Sequence, residues 1–267
     1  MEEIVLPGGN MTDVVRIGDT VHRSAGPWTP AVHALLRHLA NRGFPGAPRP
    51  LGFDDRGREV ISLLPGSAAH YPLPDHAWTD ETLSTAARML RAYHDATVDF
   101  VPPVDARWQL PAHEPAEVLC HNDFAPYNLM FEDGVPTGVV DFDTVSPGPR
   151  TWDLAYTAYR FVPLTDAANP DAPYPGAAEQ RRRLELFVES YGDDGITAAD
   201  VLAMAVPRLR ELVEFIVERA RAGDPAQRRV LDRGDVAVYE QDIAYLTGHR
   251  LLAPARRAHD GPPARNR

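Results

Sequence analysis

The sequence predicts an α+β fold in which a strand-rich first third precedes a helical second half. Short apolar runs separated by Gly, Pro and Asp turns fill most of residues 4–64, as is typical of antiparallel hairpins. From about residue 79 onward, apolar residues recur at helical spacing, with one further hairpin near residues 118–141. Because strands and helices fall in separate blocks, this order is favoured over an alternating βαβ fold.

Length and composition are those of a globular protein with one large or two small domains. The chain has 267 residues, of which 44% are apolar and 24% charged. No apolar run approaches the roughly 18 residues of a membrane span, and the acidic start lacks the features of a signal peptide, so we expect a cytoplasmic protein without a membrane partner. The net charge of −11 argues against nucleic acid as a partner. The single cysteine, Cys120, lies in an apolar run and is predicted to be a buried, inert thiol.

The first block of strands ends in a cation. Residues 4–6, 14–17 and 21–23 read as strands, and Arg23 closes the third of them. A turn between the first two contains Gly8, Gly9 and Asn10, where backbone N–H groups can approach a phosphate without a side chain in the way. The same residues are also compatible with an ordinary turn, and Arg23 with a solvated cation.

A predicted helix and a second hairpin complete the first domain. Thr29 and Pro30 form a helix-start signal, and Gly43 ends the helical spacing. Residues 51–64 read as a hairpin, followed by a Pro-rich segment at residues 65–74. We therefore predict a first domain at residues 1–64 and a second at residues 65–267.

The second domain is predicted to be mainly helical. Helix signals occur at Thr79, at Thr151 and in a capping box at Thr197–Asp200, and further apolar helical spacing covers residues 184–191 and 226–248. Pro207 is expected to kink or divide its helix, and Gly234 to break the last one. Residues 163–177 read as a long loop, and residues 259–267 as a frayed tail.

A polar cluster on the hairpin near residues 118–141 carries the chemistry. An apolar strand ends at His121 and Asp123, Asn128 follows five residues later, and a second apolar run ends at Asp141. Two strands paired through the Glu132-Asp133-Gly134 turn would bring these side chains to one end of the hairpin. One carboxylate can then accept a proton from a hydroxyl, while an amide oxygen and a second carboxylate offer ligands to Mg²⁺. A polar loop that merely caps a hairpin is the alternative.

The same segments resemble a known family. Residues 121–128 (His-Asn-Asp-Phe-Ala-Pro-Tyr-Asn), 140–143 (Val-Asp-Phe-Asp) and 148–155 (Gly-Pro-Arg-Thr-Trp-Asp-Leu-Ala) resemble the aminoglycoside phosphotransferase family, which shares the protein-kinase fold. The resemblance is strongest over residues 115–160. It implies two lobes, a small mainly-β N-lobe that covers a nucleotide and a larger mainly-α C-lobe that binds the substrate.

The resemblance also implies residue roles. Asp123 would be the catalytic base, and Asn128 and Asp141 would hold Mg²⁺. ATP or GTP would be the phosphoryl donor, and its binding residues would be Gly8, Gly9, Asn10, Arg23 and the hinge residues Ser62, Leu63 and Leu64. Supporting roles fall to His121, which would fix the loop, to Asp153, which would bond the loop backbone, and to Asp143, which would assist a second Mg²⁺ or bond locally.

One departure from the family pattern affects Arg23. Kinases pair the corresponding strand cation with a glutamate of the following helix, but no Glu or Asp lies between Ala25 and Leu51. Arg23 is therefore expected to lack this partner. His33 or His38 could face it instead, although packing roles are as compatible with both.

The function implied is Mg²⁺-dependent phosphorylation of a small-molecule hydroxyl. The alternatives are an inactive nucleotide-binding pseudokinase-like module, a protein kinase, a metal-dependent hydrolase built on the same polar cluster, and a structural protein without nucleotide. No acceptor or oligomeric state is predicted. Acidic residues on the late helices, which can bind amino groups or remain solvated, are Glu211, Glu214, Glu240 and Asp242.

Overall fold

A five-stranded antiparallel sheet forms the N-terminal part of the computed structural model, which describes residues 2–6 and 14–248. The strand order is β1-β2-β3-β5-β4. The strands are β1 (Ile4–Val5), β2 (Val15–Ile17), β3 (Thr20–Arg23), β4 (Pro50–Phe53) and β5 (Glu59–Ser62). The predicted strands are confirmed, whereas the turn with Gly8, Gly9 and Asn10 lies outside the described residues.

Helix α1 (Thr29–Asn41) connects β3 to β4. Pro30 occupies its first turn, where the missing N–H costs no hydrogen bond. The cap residue is Trp28 rather than the predicted Thr29, whose hydroxyl accepts the N–H of Gly26 at 2.9 Å instead. The apolar face of α1 is buried, with Leu35 and Leu39 fully enclosed, so periodicity placed this helix correctly.

Two small sheets contain the hairpin predicted near residues 118–141. The strands are β6 (Ser67–Ala68), β7 (Val118–Cys120), β8 (Leu129–Glu132), β9 (Val135–Val139) and β10 (Ser146–Gly148). Strands β6, β8 and β9 form one antiparallel sheet, and β7 pairs with β10. The β8–β9 turn contains Asp133 and Gly134 with positive φ angles, as a tight hairpin requires. Cys120 is fully buried, as predicted.

Helices dominate the rest of the described chain. They are α2 (Asp80–Thr97), α3 (Arg150–Phe161), α4 (Ala177–Tyr191), α5 (Ala198–Arg221), α6 (Pro225–Asp232) and α7 (Asp235–Gly248). The caps predicted at Thr79 and Thr197 are confirmed, as is the break at Gly234. Of the two outcomes expected at Pro207, a kink or a division of the helix, the division does not occur, because α5 continues through this residue as one helix. No helix in the described part of the chain is both long and apolar enough to cross a membrane.

Helix α3 is the buried centre of the C-terminal part. Nearly all of its residues are buried, and it packs against α5, while α2 packs against α4. Buried apolar residues of the N-terminal sheet, α1 and the later helices form one continuous cluster. The division at residues 64 and 65 stays a prediction, because this core continues across it. The loop expected at residues 163–177 is present between α3 and α4.

Candidate active site

The predicted polar cluster assembles at one end of the β8–β9 hairpin. Leu129 pairs with Val139 in the antiparallel ladder, and the Val140 N–H donates to the Asn128 carbonyl at 2.9 Å. Asp141 follows directly and therefore lies beside the loop that contains Asp123 and Asn128. The hairpin expected from the sequence is the reason why residues distant along the chain meet here.

Asp153 holds the backbone of the catalytic loop. Its fully buried carboxylate accepts the N–H of His121 at 2.6 Å and that of Asn122 at 2.8 Å, and it contacts His94 Nε2 at 3.1 Å. Burial by itself raises the pKa of Asp153, but the hydrogen bond and charge of His94 and the loop N–H bonds lower it below the ordinary value. The backbone contact predicted for Asp153 is therefore present.

Asn122 stabilises an unusual backbone conformation in this loop. Its φ is 66°, in the left-handed region that Asn tolerates better than most residues. Its side-chain amide donates to the Thr144 carbonyl at 2.8 Å and to the Ser146 hydroxyl at 2.9 Å, and its own carbonyl accepts from Arg208 at 2.7 Å. These bonds offset the strain of the turn that aims Asp123 away from β7.

His121 fixes the two halves of the site to each other. The ring is fully buried, and Nε2–H donates to the Val140 carbonyl at 3.1 Å. Burial lowers the pKa of His121, so the ring is neutral at pH 7 with its proton on Nε2. The bond ties the catalytic loop to the residue just before Asp141, which is the structural role expected for His121.

Asp123 is held at both carboxylate oxygens. The Tyr127 hydroxyl donates to Oδ1 at 2.6 Å, and Asn128 Nδ2 donates to Oδ2 at 2.8 Å and to the Asp123 carbonyl at 2.9 Å. Burial raises the pKa of Asp123 above its ordinary value, although the Tyr127 hydrogen bond opposes the shift. A carboxylate oxygen can accept more than one hydrogen bond, so an acceptor hydroxyl can still bind. The two hydrogen bonds orient the Asp123 carboxylate, and its raised pKa makes it a stronger base than an exposed aspartate.

The predicted metal ligands present hard oxygen atoms. Because Asn128 Nδ2 is engaged by Asp123, its Oδ1 remains available to a cation. Asp141 adopts a left-handed φ of 65°, and its side chain is 47% exposed, so its carboxylate can reach a ligand in the cleft. Within the described residues no group of three or more His, Cys, Asp and Glu could hold a metal. A cation such as Mg²⁺, which keeps waters and binds substrate phosphates, needs no such cage.

Arg23 lies among three carboxylates. Nη1 donates to Asp141 at 3.0 Å, Nη2 donates to Asp143 at 2.6 Å, and Nε pairs with Glu59. Burial lowers the pKa of Arg23, but the three carboxylates outweigh it and raise the pKa. Arg23 is therefore permanently charged, and it lies at the end of the hairpin where metal ligands are predicted.

Arg23 lacks a glutamate partner on α1, as expected, but it pairs with a glutamate from a strand that the sequence did not identify. The partner is Glu59, which comes from β5 rather than from α1, since Arg23 and Glu59 are directly paired in the β3–β5 ladder. His33 of α1 contacts the other oxygen of Glu59 at 3.0 Å, and both side chains are buried. The helix is thus still linked to the strand cation, but through His33 and Glu59. His38 bonds the Ala96 carbonyl at 2.8 Å instead.

The charge balance of this cluster fits a divalent cation. Three carboxylates surround one guanidinium, and this excess of negative charge is partly buried. Burial raises the pKa of Asp143 to about 7, with the Asp141 charge adding to the shift and Arg23 opposing it. A bound divalent cation would balance the excess charge. The carboxyl and amide oxygens of Asp141, Asp143 and Asn128 therefore fit Mg²⁺.

Removing the charge of Glu59 is expected to disturb nucleotide binding. Glu59→Gln should leave Arg23 drawn more strongly to Asp141 and Asp143, and the Kd for Mg·ATP, measured by calorimetry, should rise about 10-fold, roughly 1.4 kcal/mol. The matched control is Asp55→Asn, an exposed carboxylate on the β4–β5 turn, which should change the Kd less than two-fold. An unchanged Kd in Glu59→Gln would show that Arg23 needs no third carboxylate.

The predicted hinge residues, Ser62 to Leu64, have only part of their backbone N–H groups available to a nucleotide base. The N–H groups of Ser62 and Leu63 already donate to the carbonyls of Arg49 and Asp19, both at 2.9 Å. Within the described residues the Leu64 N–H has no backbone acceptor, so it is the donor that the predicted hinge leaves for a nucleotide base.

Several site residues were not found from the sequence. Tyr127, Tyr156 and Arg160 form a chain of hydrogen bonds that reaches Asp123, and Arg208 supports the loop at the Asn122 carbonyl. Tyr127 lies within the recognised motif, one residue before Asn128, and this position was a usable signal. Arg160 gave none, because it is an ordinary cation in the last turn of α3.

Comparisons with known proteins agree with this geometry. The model of the phosphotransferase enzyme family (APH) matches residues 104–187. The chain is 35% identical over 198 residues to the trifolitoxin immunity protein of Rhizobium leguminosarum bv. trifolii, covering 72% of this chain and 74% of that protein.

Solved structures share the fold at low identity. Amicoumacin kinase hAmiN, in complex with AMP-PNP, Ca²⁺ and Ami, superposes with a TM-score of 0.63 at 14% identity, over 94% of this chain and 91% of that chain. A choline/ethanolamine kinase family protein from Mesorhizobium loti superposes with a TM-score of 0.57 at 16% identity, over 92% of both chains. The kinase-like α+β fold expected from the sequence is thereby confirmed. The β8–β9 hairpin and the shared fold agree with the match to a relative over most of both chains. This match shows that the chain belongs to the phosphotransferase enzyme family.

Proposed function

We propose that the protein transfers the γ-phosphoryl group of ATP or GTP to the hydroxyl of a small molecule. The observation that carries this proposal is the meeting of Asp123, Asn128 and Asp141 at one end of the β8–β9 hairpin. Family membership supports the reaction type. We place the reaction in the cytoplasm, where nucleotide is abundant.

The chain's own residues divide the work. Asp123 orients the acceptor hydroxyl and takes up its proton, while the acceptor oxygen forms a bond to the γ-phosphorus and the bond to the β-phosphate oxygen breaks. Arg23 neutralises charge on the nucleotide phosphates. Gly8, Gly9 and Asn10 are proposed to cover those phosphates, and Leu64 to bind the base. Positioning and charge neutralisation supply most of the rate, without a covalent intermediate.

Asn128 and Asp141 would hold Mg²⁺, with Asp143 as a further oxygen ligand. When bound, the cation would neutralise the β- and γ-phosphates. Arg23 donates to Asp141 and Asp143. It would therefore lie beside a cation held by these carboxylates, where its guanidinium would also reach the nucleotide phosphates.

The relatives suggest a class of acceptor. One is an immunity protein against trifolitoxin, and the fold is shared with a kinase bound to amicoumacin. Phosphorylation of an antibiotic hydroxyl would be a direct route to immunity for a protein of this family. The second candidate is a nucleotide-binding module without turnover, favoured by the pairing of Arg23 with Asp141, which occupies a metal ligand.

Nucleotide-dependent stabilisation tests the site. Mg·ATP or Mg·GTP at about 100 times its Kd stabilises a protein by about 2.7 kcal/mol, which should raise the melting temperature by about 5 °C or more. The rise should require Mg²⁺ and disappear in Asp141→Asn. Asparagine is the matched replacement, because it tolerates the left-handed φ of 65° at this position, whereas alanine would add strain. No rise with either nucleotide in the wild type would contradict the proposal.

A further inference from the structure

A cation surrounded by tyrosine rings lies next to the catalytic base. The Arg160 guanidinium carbon is 5.0–5.7 Å from the ring centroids of four tyrosines. These four, together with Tyr71, whose ring lies 5.9 Å from that of Tyr127, define what we call the tyrosine pocket: Tyr71, Tyr127, Tyr156, Tyr159 and Tyr239. Tyr71 is 39% exposed, so this member of the group contacts solvent.

Hydrogen bonds connect Arg160 to Asp123. Arg160 Nε donates to the Tyr156 hydroxyl at 3.1 Å, the Tyr156 and Tyr127 hydroxyls are 3.0 Å apart, and Tyr127 donates to Asp123 at 2.6 Å. A molecule in the tyrosine pocket that contacts Arg160 is therefore within reach of Asp123 with another of its groups. The pocket lies where the acceptor of the proposed reaction has to bind.

Arg160 has N–H groups available for a ligand. Among the described residues it donates to the Tyr156 and Tyr239 hydroxyls, which use Nε and one Nη2 hydrogen of the five N–H groups. In the part of the chain that the structure describes, no carboxylate forms an ion pair with Arg160. A guanidinium with free N–H groups recognises carboxylate and phosphate oxygens through paired hydrogen bonds.

The acidic residues that might attract a cationic acceptor are engaged elsewhere. Asp242 is fully buried and accepts from Tyr159, Asn169 and the Asp166 N–H. Glu211 bonds His113 at 3.0 Å.

The other two late acidic residues line a separate groove. Glu214 and Glu240 lie there with Arg210. The charge of the exposed Asp171, in the loop between α3 and α4, contributes to raising the pKa of Tyr71. Asp123, which is proposed to bind the acceptor hydroxyl, also lies close enough for its charge to raise the pKa of Tyr71. Arg160 is the cation that four rings of this pocket surround.

We propose that the acceptor is an alcohol that also carries an oxyanion, a carboxylate or a phosphate, which binds Arg160 while the hydroxyl lies against Asp123. The inference rests on the proposed function for the identity of the ligand as acceptor. The binding preference itself does not require turnover, and this allows the two to be tested separately.

Calorimetry with four matched alcohols tests the preference. Glycerate and glycerol 3-phosphate carry the two oxyanions, glycerol is neutral, and serinol is cationic. The wild-type protein holding Mg·AMP-PNP should bind at least one anionic alcohol about 10-fold to 100-fold more tightly than glycerol or serinol. Which anion binds better distinguishes a carboxylate site from a phosphate site.

Two variants of Arg160 test whether this residue causes the preference for anionic alcohols. Arg160→Met, which keeps the length but not the charge, should lose the preference for anions and keep the Kd for Mg·AMP-PNP within two-fold. Arg160→Lys, which keeps the charge without the planar fork, should retain part of it. If the melting curve shows that Arg160→Met does not fold, Arg160→Lys and Tyr239→Phe replace it. Tyr239→Phe removes one hydrogen bond to Arg160. The proposal then predicts that both variants prefer anionic alcohols less strongly than the wild type does.

The outcomes separate this inference from the proposed function. Tightest binding of serinol, equal binding of all four alcohols, no measurable binding of any, or a preference that survives in Arg160→Met would each overturn the anionic acceptor. If Mg·AMP-PNP fails to bind, the proposed function fails, and the same titrations without nucleotide still decide the charge preference.

Discussion

Replacing Asp153 with alanine is expected to lower the free energy of unfolding by about 3–5 kcal/mol. The carboxylate is fully buried and accepts two backbone N–H groups of the catalytic loop. Its removal leaves both donors and His94 without their acceptor in a site that water does not reach, and each such group costs about 1–3 kcal/mol. Urea unfolding followed by circular dichroism measures the change.

The pH dependence of this loss has a defined sign. Because the pKa of Asp153 is lowered in the folded protein, its stabilising contribution is complete above the ordinary aspartate pKa of about 4 and is lost as the pH falls through the folded-state value. The difference between wild type and Asp153→Ala should therefore be full at pH 7 and shrink in acid. Asp232→Ala, an exposed carboxylate at the end of α6, is the control and should stay within about 0.5 kcal/mol. A loss below 1 kcal/mol in Asp153→Ala would mean that the loop holds its shape without this carboxylate.

Replacing Asp123 with asparagine is expected to lower kcat by about 10²–10⁴-fold. The amide cannot take up the proton of the acceptor hydroxyl, and its NH₂ group would face either the Tyr127 hydroxyl or the Asn128 amide donor. Because Asp123 is proposed to contact the acceptor rather than the nucleotide, the Kd for Mg·ATP should change less than three-fold. Acceptor-dependent ADP release, followed by a coupled assay, gives kcat.

The control for this variant lies on the same hairpin. Asp133→Asn keeps a residue that tolerates the positive φ of 51° in the β8–β9 turn, and its activity should equal that of the wild type. An Asp123→Asn enzyme with more than a tenth of the wild-type kcat would show that Asp123 only orients the acceptor and that proton uptake occurs elsewhere.

The predictable part of the site is the part that depends on local pairing. The register of β8 and β9 follows from two apolar runs and a short turn, and it fixes the neighbourhood of Asn128 and Asp141. The contact of Asp153 with the loop backbone was expected from the family resemblance of residues 148–155, not from spacing. The neighbourhood of Asn128 and Asp141 is the part of the site that strand spacing predicts.

The Glu59 contact depends on pairing that the sequence only weakly specifies. A glutamate next to Val60 and Ile61 in an otherwise apolar strand was a signal, since a buried carboxylate needs a cation. Finding its partner required the β3–β5 register, in which Arg23 faces Glu59. The absence of a helix glutamate was predicted correctly, but the sequence did not identify Glu59 as the partner of Arg23.

The tyrosine pocket depends on packing between separate elements. Arg160 belongs to α3, Tyr239 to α7, and Tyr127 to the catalytic loop. No local pattern states that these elements meet, because helix contacts are decided by the apolar faces of all of them together. Acidic residues on the late helices were therefore the only acceptor contacts that the sequence suggested, and the structure engages Glu211 and Asp242 with other partners.

Phosphorus-31 NMR of the reaction mixture tests the central claim most directly. Wild-type protein, Mg·ATP and the panel of alcohols, with Asp123→Asn in parallel, should yield a new phosphomonoester resonance in the wild-type sample together with an equal amount of ADP. In Asp123→Asn that resonance should be reduced by at least 100-fold. ATP that is left intact, or converted only to ADP and inorganic phosphate with every acceptor, would contradict the assignment of a phosphotransferase site to Asp123, Asn128 and Asp141.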